Sequence, residues 1–283
     1  MKPILKYRGG KSKEIKYFEH LIPNFERYIE PFFGGGALYF YLEPENAIVN
    51  DINVPLINFY NEVKHNYPTI RQELDALEQI YKANRTLFQN NKLLHPEQRV
   101  YDPNEELYYR IRDMFNGTID SEFSFGTLYY FINKTAYSGM IRYNSNGEFN
   151  VPYGRYVNFN TNLLTIDHHN LLARTQITNG SYINSFENAN NNDFIFLDPP
   201  YDTTFSSYGN EILTGDFGEE HHRQLAQDFR NLQCPAMMVI GDTPLTNELY
   251  HDLIHDTYAK KYSVNIRNRF QSRANHLIIT NYL

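Results

Sequence analysis

The sequence predicts an α/β fold built on a doubly wound, largely parallel sheet, and three stretches predict it. Asp193-Phe194-Ile195-Phe196-Leu197 is a short apolar run without alternation that halts at Asp198-Pro199-Pro200-Tyr201, as a parallel strand covered on both faces does. Arg27-Tyr28-Ile29-Glu30 runs through Pro31-Phe32-Phe33 into Gly34-Gly35-Gly36, the kind of strand-to-helix turn that makes room for a nucleoside at the first strand. Ala47-Ile48-Val49 ends in Asn50-Asp51-Ile52-Asn53, placing Asp51 at the tip of a second strand. Ligands of open α/β sheets lie beyond the carboxyl ends of the strands, so Asp51 and the Asp198-to-Tyr201 stretch are the first candidate site residues.

From the N-terminus, Lys6-Tyr7-Arg8-Gly9-Gly10-Lys11 leads into Ser12 to Ile22, where Ile15, Phe18, Leu21 and Ile22 keep helical spacing behind Ser12 as N-cap. Gly9-Gly10-Lys11 lacks the spacing of a phosphate loop, which excludes a nucleoside triphosphatase of that type. A helix from Ala37 to Leu42 follows the glycine turn. Asp51 either accepts the hydroxyls of a ribose or caps the next helix. That helix runs from Asn53 to Arg85 and is broken in two by Pro68. From Thr86 to about Asn116 the pattern is a polar link and a helix over Asn104 to Met114, without a catalytic group.

Between Phe131 and Tyr156, Asn144 to Gly147 is a turn signal between two β-prone runs and predicts a hairpin. Arg142 and Arg155 flank it among tyrosines; such a hairpin can read a major groove, or can be a structural hairpin with surface arginines. Thr203 to Gly218 carries the small residues of a segment able to close over a site. Glu219 to Leu232 reads as an amphipathic helix with Leu225, Phe229 and Leu232 inward and with His221 and His222 exposed. Pro235 to Gly241 and His276 to Tyr282 are further strands.

A net charge of -7 argues against indiscriminate nucleic-acid binding. Its distribution is uneven: Lys2 to Lys16 is basic apart from Glu14, and Lys260, Lys261, Arg267, Arg269 and Arg273 form a second basic tract, so the two ends make one basic face if they meet. Aromatics make up 16% of the chain, which suits base stacking as well as a core. Cys234 is the only cysteine, which excludes an intrachain disulfide and a cysteine-based zinc site and suits a reducing cytoplasm. No metal is expected, because no cluster accompanies His221 and His222. No stretch approaches a membrane span, so no membrane partner is expected.

Asp198-Pro199-Pro200-Tyr201 is similar to the motif of amino-methyltransferases, which methylate an exocyclic NH2 from S-adenosylmethionine; for these residues alone, a strand closed by a Pro-Pro turn is the structural alternative. The residue types suit the chemistry. A lone pair on adenine N6 is delocalised into the ring, and two acceptors for its protons, the Asp198 carboxylate and the Pro199 carbonyl, favour a pyramidal nucleophilic nitrogen. The prolines, Pro200 included, stiffen the backbone that aims that carbonyl, and Tyr201 supplies a ring for stacking. Together with Lys6-Tyr7-Arg8-Gly9-Gly10-Lys11, Glu30 to Gly36, Asn50 to Asn53, and Arg142 to Tyr156, the ordered motifs resemble the Dam-type (D12 class, alpha group) DNA adenine-N6 methyltransferases over nearly the whole chain.

The resemblance implies a Rossmann-like sheet of seven strands formed by residues 1–56 and 168–283, with residues 57–167 as an inserted helical and hairpin target-recognition domain. It places cofactor contacts for S-adenosylmethionine, with S-adenosylhomocysteine as product, on Tyr7, Lys11, Phe32, Gly34, Gly36, Asp51 and Asp198. Double-stranded DNA is the implied partner. Lys6 matches the reader of the first guanine of GATC, Arg142 the reader of the last guanine-cytosine pair, and Tyr137 the wedge that enters the duplex. Asn144 and Pro152 belong to the same recognition motif, and Arg155 and Tyr156 match phosphate and positioning residues. Tyr7 stands where the family usually has Trp, Ser138 where it has Asn, and Met140 where it has Leu. The site is therefore GATC or a relative that keeps the inner adenine-thymine step. A monomer in a bacterial or phage-infected cytoplasm, partnered by a cognate restriction endonuclease, completes the expectation. The alternatives are the same chemistry on cytosine N4 or RNA adenine, and a catalytically silent DNA-binding relative.

Overall fold

The computed structural model describes residues 1–7, 9–139, 141–202, 217–261 and 273–283. Met140, Arg267, Arg269 and most of the Thr203-to-Gly218 segment lie outside the described residues. Seven strands build one sheet: β1 (Arg27–Glu30), β2 (Ala47–Asp51), β3 (Thr175–Asn179), β4 (Asp193–Leu197), β5 (Ala236–Gly241), β6 (Ile254–Lys261) and β7 (Arg273–Thr280), in the spatial order β3-β2-β1-β4-β5-β7-β6. The first five run parallel, and β7 lies antiparallel between β5 and β6. Strand order reverses between β1 and β4, so their carboxyl ends open a crevice, and Pro31 and Asp198 are the residues that follow them.

The helices are α1 (Ala37–Leu42), α2 (Val54–Leu94), α3 (Pro103–Phe115), α4 (Phe125–Thr135), α5 (Ile166–Ala173), α6 (Ile183–Glu187), α7 (Glu219–Asn231) and α8 (Pro244–Tyr250). Both faces of the central strands are covered. Phe194, Phe196, Tyr28 and Val49 pack on one side with residues of α2 and α4, while Ile195, Leu197, Ile29 and Ile48 pack on the other with α7 and α8. That double burial is why β4 shows no alternation. At the opposite end of the β1–β4 pair, Arg27 grips Asp193 through Nε (3.1 Å) and Nη2 (2.6 Å), and the two residues are register partners. A two-pronged ion pair of this kind fixes the alignment of two strands whose carboxyl ends carry the crevice.

Several expectations change. Ser12 to Ile22 forms two 3-10 turns, Ile15–Tyr17 and Glu19–Leu21, instead of an α-helix capped by Ser12. Glu14 is buried and bonded to distant side chains, and Phe18 between the turns leaves helical geometry. α2 bends at Asn66, two residues before Pro68, and then runs on past Arg85 to Leu94. Proline crowds the turn before it and provides no N–H, so the break falls on its N-terminal side. His222 is fully buried, because it lies three and seven residues before Leu225 and Phe229 on the inward stripe of α7; His221 is exposed as expected.

The predicted hairpin exists as two isolated antiparallel bridges, Ala136 to Tyr153 and Tyr143 to Phe149. Left-handed backbone at Ser138 (φ 58°), Gly139 (φ 60°) and Arg155 (φ 54°), and a proline at 152, keep its arms from forming continuous strands. The turn is shaped by Asn144, whose Oδ1 accepts N–H bonds from Asn146 (3.0 Å) and Glu148 (2.9 Å). The two ends touch, Lys260 pairing with Glu14 at 2.6 Å and the rings of Tyr17 and Tyr258 stacking 4.7 Å apart, while the side chains of Lys261, Arg267, Arg269 and Arg273 lie outside the described residues. Among the described residues no helix is long and apolar enough to cross a membrane.

Candidate active site

The crevice beyond β1 and β4 is a cavity of about 360 Å³. Its walls bring together Lys6, Tyr7, Lys11, Phe32, Gly34, Gly36, Asp51, Asp198, Pro199, Pro200 and Tyr201, all singled out by the sequence. The glycine turn is shaped by what lies over it. A Cβ on Gly34, which is left-handed (φ 49°), would sit 2.7 Å from the Tyr7 ring, and one on Gly35 would sit 2.8 Å from Tyr7 Cβ, so only glycine lets the two segments close.

Asp51 is buried at the tip of β2. Its Oδ2 accepts the Gly34 N–H (2.8 Å) and its Oδ1 the Asn53 N–H (2.9 Å), so the acid shapes the glycine turn while facing the cavity. Burial pushes its carboxyl above the usual range, against the N–H bonds from Asn53, Gly34 and Ile52. The cap of α2 is a different residue, Asn53, whose side chain accepts the Leu56 N–H at 3.1 Å. Asp51 is thereby left as one of the acids of the cavity wall.

Asp198 leaves β4 into an ion pair. Lys11, only 2% exposed, donates from Nζ to Asp198 Oδ1 (2.6 Å), to the Tyr201 hydroxyl (2.6 Å) and to the Gly9 carbonyl (3.2 Å). Tyr201 is 8% exposed, and its ring meets that of His276 edge-on at 5.2 Å. Glu30, at the end of β1, is a wall residue that the sequence motif includes without a role, although it too is an acid closing a strand. Burial drives its carboxyl well above the usual range and the charges of Asp198 and Asp51 add to this, against a hydrogen bond from Tyr28 (2.8 Å). Tyr182, Phe217 and His221 also line the cavity unanticipated, with Phe32 tilted on Tyr182 at 5.4 Å and edge-on to Phe217 at 5.8 Å.

A cavity with an acid-tipped second strand, a glycine turn and an acid followed by two prolines matches one family along most of the chain. The family model for D12 class N6 adenine-specific DNA methyltransferases matches residues 7–266. The chain belongs to that family. It is also similar to the type II methyltransferase M.CviBI of Paramecium bursaria Chlorella virus NC1A, with 34% identity over the full length of both chains. The type II methyltransferase M.MjaIII of Methanocaldococcus jannaschii is 34% identical over 82% of this chain and 80% of its own. The DNA adenine methylase of Salmonella typhi is 29% identical over 95% and 89%.

Of the described residues that the sequence assigns to DNA recognition, Lys6 lines the cavity, while Tyr137, Ser138, Arg142, Asn144, Pro152, Arg155 and Tyr156 are not among its wall residues. The backbone of Lys6 is clasped by the Asn133 side chain through two bonds of 2.9 Å, and its Nζ reaches the Lys134 carbonyl (3.0 Å) and lies 4.0 Å over the Tyr156 ring. Gly139 and Ile141, on either side of Met140, also line the cavity. Tyr137 is 51% exposed, and Ser138, Arg142, Pro152 and Arg155 are exposed too. Arg142 Nε bonds Asn150 (2.9 Å), and Arg155 pairs with Glu105 (3.0 Å). Asn144 is engaged internally: besides its turn bonds, its amide donates to Glu148 at 2.8 Å.

Proposed function

We propose that the protein methylates N6 of an adenine flipped out of duplex DNA, within GATC or a related short site, with S-adenosylmethionine as donor. One observation carries this reading: Asp198 and Pro199 face the same cavity as the Gly34 turn and Asp51. The cavity's fit to the cofactor supports it. Gly34 and Gly35 leave no room for a side chain beneath Tyr7, Asp51 suits ribose hydroxyls, and Phe32 offers an apolar wall. The bound cofactor supplies a methyl group on a positively charged sulfur.

In this reading, Asp198 and the Pro199 carbonyl each accept one N6 proton of the flipped adenine and turn its lone pair toward the methyl carbon. S-adenosylmethionine held by Asp51, Phe32 and the Gly34 turn would supply both the methyl group and, as a sulfonium, a neutral thioether leaving group, so the transfer would need no further reagent. N6 becomes acidic on methylation and loses a proton to Asp198 or water, so no stronger base is needed. Lys11, bonded to Oδ1, holds the carboxylate in place and leaves Oδ2 for the base. Flipping costs about a few kcal/mol; a partner ring such as Tyr201 returns about 1–3 kcal/mol by stacking.

We take residues 57–167 as the part that reads DNA, with Lys6 as its bridge to the cavity. In this reading the exposed Tyr137 enters the duplex and the exposed Arg142 reads a guanine edge. Two relatives named as type II methyltransferases support a modification role alongside an endonuclease. The deciding experiment is Asp198→Ala with radiolabelled cofactor. Methyl transfer should fall by at least about 1,000-fold, with DNA affinity changed by less than about threefold. Retained turnover refutes the role of Asp198, and label on RNA or on cytosine in the wild type redirects the substrate.

A further inference from the structure

A second cluster of buried charge lies behind the cavity wall and closes on it. Glu14 Oε1 receives Lys260 Nζ at 2.6 Å, and Oε2 receives the Tyr258 hydroxyl at 2.6 Å with His276 Nδ1 at 3.0 Å. These partners come from β6 and β7, where Tyr258 and His276 are register neighbours. The His276 ring, fully buried, stands edge-on to Tyr201 (5.2 Å, 86°). The Tyr201 hydroxyl is bonded to Lys11, whose own carbonyl accepts the Glu14 N–H at 2.7 Å. Glu14, His276, Tyr201 and Lys11 therefore form a closed circuit.

We propose that Glu14 is a positioning residue for methyl transfer, setting the Lys11 ammonium and the Tyr201 ring at the distances Asp198 requires; this rests on the role given to Asp198 above. Burial of a carboxylate is unfavourable, and Glu14 stays inside because its charge is matched from several sides. Burial opposes its ionised form, yet hydrogen bonds from His276, Lys260 and Tyr258 and the nearby Lys11 charge hold its carboxyl down to about 2. An apolar side chain could pin the turn to the β6–β7 edge equally well. What it could not do is orient His276 through Nδ1 and thereby fix which edge of the ring meets Tyr201. Since Lys11 and Glu14 share one tight turn, displacement of either moves the other, and a misplacement of about 1 Å at a reacting group can cost 100-fold in rate.

Glu14→Gln keeps the shape and removes the charge. In single-turnover assays with saturating DNA and cofactor, its methyl-transfer rate should fall about 10- to 100-fold. Calorimetric affinities for DNA and S-adenosylhomocysteine, and the signal of a fluorescent adenine analogue at the target position, should stay within about threefold, because a positioning role separates rate from binding. Lys260→Met, at the more open edge of the cluster, should give a smaller rate loss with the same unchanged binding and serves if the glutamine variant does not fold. Wild-type turnover in either variant overturns the proposal, as does a rate loss matched by an equal loss of binding. Asp198→Ala in the same assay keeps the two readings apart: its inactivity upholds the catalytic reading whatever Glu14 does.

Discussion

The cavity and the 137–156 tract hold their charges in opposite ways. In the cavity, Lys11 is buried and bonded to Asp198 and Tyr201, and Asp51 is fixed by backbone N–H groups. On the tract, Arg142 and Arg155 are exposed, each tied by contacts that solvent screens: to Asn150 eight residues away and to Glu105 on α3. A reaction centre gains from groups that need not reorganise, whereas a recognition surface must release its internal partners to take bases and phosphates. Damage should therefore be large and independent of DNA sequence at the cavity, and small, sequence-dependent or salt-dependent on the tract.

The sharpest break of the contrast is Lys11→Met, which keeps an unbranched side chain and removes the ammonium. Without the ammonium, Asp198 and Tyr201 lose the contact that positions them, and a misplacement of about 1 Å can cost 100-fold, so methyl transfer should drop by at least about 100-fold. The loss should be the same on every DNA sequence tested. A loss below about tenfold would mean that the cation serves packing alone.

Arg142→Ala should act in the other manner. If Arg142 reads a guanine edge, its removal lowers discrimination at one flanking base pair by about 1–3 kcal/mol, or roughly 5- to 150-fold in relative kcat/KM. Turnover on the preferred site should change much less. Mapping methylated adenines across a mixed-sequence DNA measures this, and uniform weakening at all sites would make Arg142 a phosphate contact.

The strands that carry the acids were legible because parallel strands buried on both faces announce themselves as unbroken apolar runs: β4 ends at Asp198 and β2 at Asp51. β3 was not, since as an edge strand it is half solvent-facing and its Thr175-Gln176-Ile177-Thr178-Asn179 carries no apolar signature. The Gly34–Asp51 wall could be read from a few short motifs, but the Glu14 circuit could not, because its members lie 244 and 262 residues apart and only the folded sheet edge joins them. Glu14 also overturned the local helical periodicity of Ser12 to Ile22. His222 was misassigned for a different reason. Its neighbours made the first turn of α7 look polar, although its spacing to Leu225 and Phe229 already placed it on the buried stripe.

The smallest effect lies at the pair between Arg155 and Glu105. Arg155 holds left-handed backbone, so the direction of its side chain is set by the chain while its charge is partly neutralised by Glu105. Glu105→Gln removes an exposed pair worth about 0.2–1 kcal/mol and frees the guanidinium for a phosphate. DNA affinity at low salt should rise by no more than about fivefold, and the gain should shrink as salt is added. Arg155→Ala should flatten the dependence of log affinity on log salt by about 0.9, and combining it with Glu105→Gln should cancel most of the gain. A gain that survives in the double variant would instead trace the effect to repulsion between Glu105 itself and the DNA, leaving Arg155 as a turn residue.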